Sequence, residues 1–425
     1  MKLLLVIIYF SVGYFCFKLI NAFSKKQQQK NENKSKSLIF NIFTIWTFIY
    51  ASLTPLLSLY LGPFEFELSS YLVISSLLLL FGAVMFYCIF EKTKVKDINF
   101  KELKLGFALL LYSTYLFLFI VLSKSTFLIL GYRSLVAATT VIFAICIPKK
   151  NYLLPISLNL LLIIISLSLG LFFYSKEIIV ITLFAPFVLS FLYLKGIKII
   201  NIKNLLIGSF ITILLFTSVS PILGLVRRDI ISPTDFSSET LDFVYEYSDS
   251  LESKSILENS LERLNILRAF AITLKNEDKV LSSRPKDPFW SIYGSIFSWL
   301  PFWGANPNHA LEQNNVDLTY FNTDVHIALT YFGHIIWCFG IIISFPVIFL
   351  LLISICLIIR VLLNTSPLIS IYNLFYISLS MLRLESQLNI IISDLIFIIF
   401  TSFILENLIG KKGILVSQKI QRNTP

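Results

Sequence analysis

The sequence predicts an all-α, polytopic membrane protein with about eleven transmembrane helices and one large extracytoplasmic loop that carries amphipathic helices. Composition is the first reason: only 14% of the 425 residues are charged, whereas a soluble domain has about 25%. Too few polar side chains are available to cover a soluble globule of this length. The second reason is that apolar runs of about 20 residues, long enough for a helix to cross a bilayer, recur along the chain.

The apolar runs divide the chain into three parts. Amino-terminal spans occupy 1–224, a large loop without a spanning run occupies 225–324, and carboxyl-terminal spans and a tail occupy 325–425. The first run has no small-residue cleavage site after it, so we predict a retained span rather than a removed signal peptide. The predicted spans lie at 3–22, 38–60, 70–90, 105–123, 130–147, 152–174, 178–194, 204–224, 334–359, 366–382 and 388–408.

Basic residues give the predicted orientation, because cytoplasmic loops of membrane proteins are enriched in Lys and Arg. The segments 23–37 and 91–104 each hold five lysines, whereas 61–70 has two glutamates and no basic residue. The amino terminus is therefore predicted outside and the carboxyl terminus inside. Four basic residues after position 410 agree with that placement of the carboxyl terminus.

The loop 225–324 differs from the rest of the chain in charge. It holds nine Lys or Arg and fifteen Asp or Glu, whereas the whole chain carries a net charge of +10. Within the loop, 250–274 has apolar residues at helical spacing and predicts an amphipathic helix packed on the membrane domain. The aromatic segment 288–303 is predicted to lie at the membrane surface, which suits Trp and Tyr rings.

Several classes of function are excluded by the sequence. The positive charge falls in short clusters between apolar runs, so nucleic acid is not an expected partner. The five cysteines lie inside apolar runs without metal-ligand spacing, and we predict neither a disulfide nor a metal site. The sequence has no glycine-rich phosphate loop, no paired-histidine metal motif and no nucleophile elbow, so it carries no motif of a soluble enzyme.

Arginines at the predicted outer ends of spans are the main candidates for chemistry. Outer ends do not attract basic residues as cytoplasmic ends do, and a guanidinium binds phosphate bidentately. Such residues could bind a lipid-linked diphosphate, or they could snorkel to headgroups or pair with loop carboxylates. The set comprises Arg227 and Arg228 at the end of the eighth span, Arg133 and Lys176 near outer span ends, Arg383 at the outer end of the tenth span, and Arg263, Arg268 and Arg284 in the loop.

Three histidines and one aspartate complete the candidates. His326, where the loop re-enters the membrane, could deprotonate a sugar hydroxyl, or it could be an interfacial residue hydrogen-bonded to the loop. His309 is interpreted as a surface turn residue and His334 as a packed helix residue. Asp394, inside the last span, is costly in lipid and should face a cavity or a polar partner.

A series of short motifs between 175 and 385 resembles a known family. The motifs are Ser175-Lys-Glu-Ile-Ile-Val with Pro186, Gly224-Leu-Val-Arg-Arg, Leu261-Glu-Arg-Leu, the aromatic stretch ending near Pro307, Tyr331-Phe-Gly, and Leu382-Arg-Leu-Glu. Together with the topology of the whole chain, they resemble the bacterial oligosaccharide repeat-unit polymerases of the Wzy type, which belong with the O-antigen polymerases and ligases.

The resemblance implies a reaction, a location and a site. A polymerase of this type moves a growing glycan from undecaprenyl diphosphate to a sugar hydroxyl of the next lipid-linked repeat unit, at the outer face of the bacterial cytoplasmic membrane. The products are O-antigen, capsule or exopolysaccharide. The implied partners are the lipid-linked oligosaccharide and the bilayer, with a chain-length regulator as a further candidate, and no cofactor is implied. The implied diphosphate ligands are Arg227, Arg228, Arg263 and Arg383, and the implied base is His326.

Other functions stay open at this stage. An O-antigen ligase-like transferase would pass the glycan to a different acceptor, and a transporter or flippase would move lipid-linked sugars across the membrane. Transporters commonly have paired halves and charged residues at mid-membrane, whereas this sequence has no evident repeat and places its charges at the predicted outer rim. A non-catalytic scaffold would not need outer arginines. The sequence therefore favours glycosyl transfer at the outer surface.

Overall fold

Helices form nearly all of the chain that the computed structural model describes, and the described residues contain no strand. A helix satisfies its backbone N–H and C=O groups internally, which the interior of a bilayer requires. The predicted all-α class is therefore confirmed. The described residues are 2–29, 33–61, 66–96, 104–121, 127–168, 185–186, 188–194, 266–276, 288, 331–381 and 388–407.

The amino-terminal helices follow the predicted spans. A π-helical turn at Ile49–Leu53 joins α2 to α3, and a 3₁₀ turn at Phe66–Leu68 precedes α4. The helices are α1 at Lys2–Gln29, α2 at Lys34–Phe48, α3 at Thr54–Leu61, α4 at Ser69–Lys92, α5 at Leu105–Val121, α6 at Phe127–Cys146 and α7 at Leu153–Ser168.

The carboxyl-terminal helices show one departure from prediction. The predicted ninth span, 334–359, is interrupted at Gly340, whose φ of 78° is a left-handed conformation that glycine adopts without a Cβ clash. The spanning helix therefore begins later than predicted, because apolar residues on both sides hide the break from a hydropathy pattern. The helices are α8 at Ile266–Lys275, α9 at Tyr331–Phe339, α10 at Ile341–Leu363, α11 at Pro367–Met381 and α12 at Leu388–Leu405.

Five helices in the described part of the chain are long and apolar enough to cross a membrane. They are Lys2–Gln27, Lys34–Leu57, Ser69–Lys92, Gly131–Lys149 and Ile341–Leu363. Shorter apolar helices occupy other predicted spans, including Pro367–Met381 and Asp394–Leu405. A membrane location is thus supported, whereas the total of eleven spans, the orientation and most of the loop 225–324 stay predictions.

The helix α11 lies at the centre of the described bundle. Every residue from Leu368 to Met381 is buried, and α11 packs against α2, α6, α10 and α12. A helix with apolar residues all around it is expected to be enclosed in this way. By contrast, α1 and α10 expose large apolar side chains such as Phe10 and Ile342, as expected of surfaces that face lipid.

The helices α1 and α2 approach closely at Gly13. A Cβ atom at this position would lie 2.6 Å from Oγ of Ser52 and 3.0 Å from the ring of Phe48. Oγ of Ser52 in turn donates a hydrogen bond of 2.8 Å to the carbonyl oxygen of Tyr9. The absence of a side chain at Gly13 therefore permits an interhelical hydrogen bond to a backbone carbonyl.

We expect Gly13→Ala to destabilise the protein by about 1–3 kcal/mol, because the added methyl overpacks this contact. Gly106→Ala is the matched control, since a Cβ at Gly106 meets nothing within 4 Å, and it should be neutral or stabilising by up to about 1 kcal/mol. Thermal unfolding in detergent measures both variants. Equal effects of the two substitutions would contradict the close contact.

The loop helix α8 packs on the end of the bundle where α4 begins. Its Leu267 and Phe270 are buried, Phe270 stacks on Phe332 of α9 with ring centroids 6.1 Å apart, and α8 contacts both α4 and α9. The predicted amphipathic helix is thus confirmed for its described portion. At its end, Nζ of Lys275 donates a hydrogen bond of 2.7 Å to Oε2 of Glu67, and this contact lowers the pKa of Glu67.

Crosslinking tests the docking of α8. In a Cys88→Ser background, which removes an exposed thiol, Glu67→Cys with Lys275→Cys should react with a short bismaleimide. After cleavage at a protease site engineered into the exposed turn at 149–151, the two fragments should remain joined. The control pair, Lys96→Cys with Lys275→Cys, should separate, because α4 spans ~36 Å between its ends. Equal crosslinking of both pairs, or none of either, would refute the docking.

Candidate functional site

A buried ion pair lies inside the described helical bundle. Arg133, in the second turn of α6, and Asp394, in the second turn of α12, are only 1% and 2% exposed. Nη1 of Arg133 donates a hydrogen bond to Oδ2 of Asp394. Either charge alone would cost several kcal/mol in such an environment, so each residue depends on the other for its place in the interior.

Hydroxyl groups line one face of α11, the helix that packs against both α6 and α12. Tyr372, Tyr376 and Ser380 follow one another at intervals of four residues in α11, so they share one face of that helix. Tyr376 and Ser380 are near the ion pair: Tyr376 interacts with both charges, and Ser380 lies beside the Asp394 carboxylate. The ion pair is thus the end of a longer polar face.

The helix α5 completes the other end of this polar face. The ring of Tyr115 stacks on that of Tyr372 with centroids 5.2 Å apart and an interplanar angle of 17°. The Tyr115 hydroxyl lies near those of Tyr372, Ser134 and Thr401. We call Arg133, Asp394 and the hydroxyls of Tyr115, Tyr372, Tyr376 and Ser380 the polar column.

The fold positions the polar column through two enclosed helices. The described residues of α6 from Tyr132 to Cys146 are buried, and α11 is buried throughout. These two helices pack on each other, with α5 against α6 and α12 against α11. The polar side chains therefore meet where four helices converge, away from the lipid-facing surfaces.

The ion pair lies toward the end of the bundle that carries α8. Arg133 and Asp394 each come six residues after the start of their helix, which is ~9 Å along the axis. The helix α9, on which α8 packs, also contacts α12. A depth of ~9 Å is less than half the length of either helix, since the two helices have 20 and 18 residues, so the pair lies in the half of the bundle nearer to α8.

The residues to which the sequence analysis assigns diphosphate binding and base catalysis lie outside the described part of the chain. They are Arg227, Arg228, Arg263, Arg383 and His326, and their roles stay predictions. Lys176, Arg284 and His309 likewise lie outside it, and of Arg268 the structure describes only the backbone in α8.

Three sequence interpretations are tested by the described residues. Arg133 was placed near an outer span end as a candidate for phosphate binding or for pairing with a loop carboxylate; its side chain instead lies inside the bundle and pairs with Asp394 of α12. The expectation that Asp394 has a polar partner is confirmed. His334 is confirmed as a packed helix residue, fully buried in α9 with its ring 5.7 Å from that of Trp337.

The hydroxyls of the polar column were missed in the sequence. The signal was present, since Tyr372, Tyr376 and Ser380 recur at helical spacing inside one apolar span. Tyrosine and serine are common in membrane helices, however, and the spacing alone does not show that Asp394 lies opposite. Among the residues that the structure describes, no three His, Cys, Asp or Glu side chains come together as metal ligands would.

The chemistry of the polar column is hydrogen bonding and charge pairing. It has one carboxylate, one guanidinium and several hydroxyls, which suits hydroxylic molecules or proton exchange. Comparison with known proteins adds no family assignment, because no family model, no curated protein and no solved structure matches this chain. Function therefore has to follow from the residues and their geometry.

We expect Asp394→Asn to destabilise the protein by about 3–5 kcal/mol, because it leaves the buried Arg133 charge without its carboxylate partner. The double variant Arg133→Met with Asp394→Leu removes both charges and should recover most of this loss. Glu67→Gln, at the exposed pair with Lys275, is the control and should change stability little. Thermal unfolding of the wild type, of Arg133→Met and Asp394→Leu alone, and of their combination completes a double-mutant cycle, and additive effects would argue against the pair.

Proposed function

We propose that the protein polymerises undecaprenyl-diphosphate-linked oligosaccharide repeat units in surface polysaccharide synthesis, at the outer face of the bacterial cytoplasmic membrane. The main supporting observation is that α8, from the large loop, docks on the end of the bundle nearer to the Arg133–Asp394 pair. Two lipid-linked substrates have to meet where a water-exposed segment adjoins the spans that contact their lipid chains. A docked loop helix is the anchor that such a site needs.

The polar column supports the proposal through the chain segment that carries Arg383. This segment, 382–387, connects the end of α11 to the start of α12. Ser380, just before this segment, lies beside Asp394, and Asp394, the seventh residue of α12, pairs with Arg133. Binding groups work best when they are carried by well-packed elements, so the packing of α11 and α12 supports a substrate-binding role for Arg383.

The proposed reaction needs no cofactor, because the carrier diphosphate is the leaving group. The acceptor hydroxyl oxygen bonds to the anomeric carbon of the donor glycan as the bond from that carbon to the diphosphate breaks. A general base takes the hydroxyl proton, and His326 is our candidate. Guanidinium groups stabilise the charge that develops on the diphosphate, and the candidates are Arg227, Arg228, Arg263 and Arg383.

A flippase or transporter of lipid-linked sugars is a second candidate, favoured by one observation. Ionisable residues buried inside membrane spans commonly mark substrate or ion pathways, and Arg133 with Asp394 is such a pair. Its position nearer to the α8 end, rather than at mid-membrane, favours the polymerase. A ligase-like transferase shares the proposed chemistry and differs in its acceptor.

A deletion strain separates these functions by the polysaccharide that it accumulates. Analysis of surface polysaccharide on a gel should show single capped repeat units in place of long chains if the protein is the polymerase. Long chains that stay on the lipid carrier would instead indicate a ligase. Repeat units trapped on the cytoplasmic side would indicate a flippase.

The diphosphate-binding arginines are tested by substitution. We expect Arg227→Ala or Arg228→Ala to abolish long-chain glycan, because the leaving charge loses a bidentate partner, while the amount of protein in the membrane stays unchanged. Arg360→Ala is the control, since this exposed arginine is in the last turn of α10, at a predicted cytoplasmic end. Complementation of the deletion strain gives the measurement, and normal chain lengths in both variants would rule out the phosphate-binding role.

A further inference from the structure

Four hydroxyls of the polar column are buried and make no hydrogen bond of normal length and angle, although Ser380 lies close to Asp394, and Tyr115 lies close to Ser134 and Thr401. Within the described residues, the hydroxyl oxygens of Tyr115, Tyr372, Tyr376 and Ser380 make no hydrogen bond of normal geometry to a protein atom. Their side chains are at most 3% exposed. Buried hydroxyls are rarely left unsatisfied, because loss of their hydrogen bonds with water is not otherwise compensated.

Other polar side chains of α11 form hydrogen bonds, unlike those on the face that carries Tyr372, Tyr376 and Ser380. Nδ2 of Asn373 donates to the carbonyl oxygen of Leu362 at 2.8 Å, and Oδ1 of Asn373 accepts from Ser402 at 2.6 Å. Oγ of Ser370 donates to the carbonyl oxygen of Leu363 at 2.7 Å. The helix therefore satisfies polar groups elsewhere, and the unpaired hydroxyls lie on the face that leads to Asp394.

The dimensions of this face suit water molecules. Residues four apart on one helix face are separated by ~6 Å along the helix axis. One water molecule that hydrogen-bonds two hydroxyls at ~2.8 Å each reaches almost that far. Buried waters typically make about three hydrogen bonds to groups that otherwise lack partners.

We propose that the polar column binds a chain of internal water molecules that runs from the Asp394 carboxylate to Tyr115. The hydroxyls of Ser380, Tyr376 and Tyr372 are its successive partners, over ~12 Å of α11. Ser380 is the residue before the last one of α11, so the chain reaches the end of the helix nearer to α8. Asp394 thereby contacts water from that side, although its own side chain is almost fully buried. This hydration is independent of which of the proposed activities the protein has.

Radiolytic hydroxyl-radical footprinting of the full-length protein in lipid nanodiscs tests the proposal, because radicals form from water that is bound beside a side chain. Tyr115, Tyr372 and Tyr376 should be modified several-fold more than Phe86 and Phe90, after correction for intrinsic reactivity. Those two phenylalanines are 0% exposed and stack on each other with centroids 5.0 Å apart, in an apolar cluster. Modification of the tyrosines at the level of these controls would overturn the proposal.

The melting temperatures of tyrosine variants test the proposal in a second way, because the direction of the change is predicted. Tyr372→Phe with Tyr376→Phe should lower the melting temperature and reduce the modification of Tyr115, because the water chain loses two partners. Tyr112→Phe is the control on α5: its hydroxyl donates to the carbonyl oxygen of Leu158 at 3.1 Å, so its loss should leave the modification of Tyr372 and Tyr376 unchanged. The double variant could instead melt at a higher temperature, with the wild-type tyrosines modified no more than Phe86 and Phe90. That result would show that no water is bound beside these hydroxyls.

Discussion

The Arg133–Asp394 ion pair joins two helices that are 261 residues apart in sequence, and the arrangement of α6, α11 and α12 depends on it. Both side chains are almost fully buried, so separation of the helices would expose two charges to a medium of low dielectric constant. An apolar replacement of similar volume would also pack there, and it would cost less desolvation. The pair therefore contributes specificity: it selects one register between α6 and α12, because a shift of one residue on either helix turns one charge away from the other.

The enclosed helix α11 packs against both α6 and α12, the two helices that carry the Arg133–Asp394 pair. One face carries the hydroxyls that lead to Asp394, and its other polar groups bond to neighbouring helices. The segment 382–387, which contains Arg383, connects α11 to α12 in sequence. The ion pair and the proposed substrate-binding arginine are therefore linked by a short stretch of chain between two helices that pack on each other.

Sequence reasoning predicted the parts of this arrangement that depend on length and hydropathy. Apolar runs identified the helices, since a backbone in lipid has few alternatives to a helix, and a charge inside an apolar span indicated a partner for Asp394.

The break at Gly340 was missed because a backbone conformation leaves hydropathy unchanged. The burial of Arg133 was missed because one sequence does not show which side of a helix faces lipid. For the same reason Lys36, counted among the cytoplasmic loop lysines, was not expected to be only 6% exposed. The candidate arginines of the loop lie outside the described residues, so the catalytic assignment still depends on the resemblance.

The two ends of α4 are held by contacts with different parts of the chain, and these contacts relate α8 to the proposed site. At its start, Glu67 pairs with Lys275 of α8. Beyond its other end, Nζ of Lys36 donates hydrogen bonds to the carbonyl oxygens of Glu91 and Thr93 at 2.6 and 2.8 Å. The described residues of the lysine-rich segments 23–37 and 91–104 meet at that second end, and the positive-inside rule assigns it to the cytoplasm. The helix α8 contacts the opposite end of α4, which is therefore inferred to be the outer one. Since the ion pair lies in the half of the bundle nearer to α8, both the helix α8 and the proposed water chain at Asp394 lie toward the side on which we propose that lipid-linked glycans are joined.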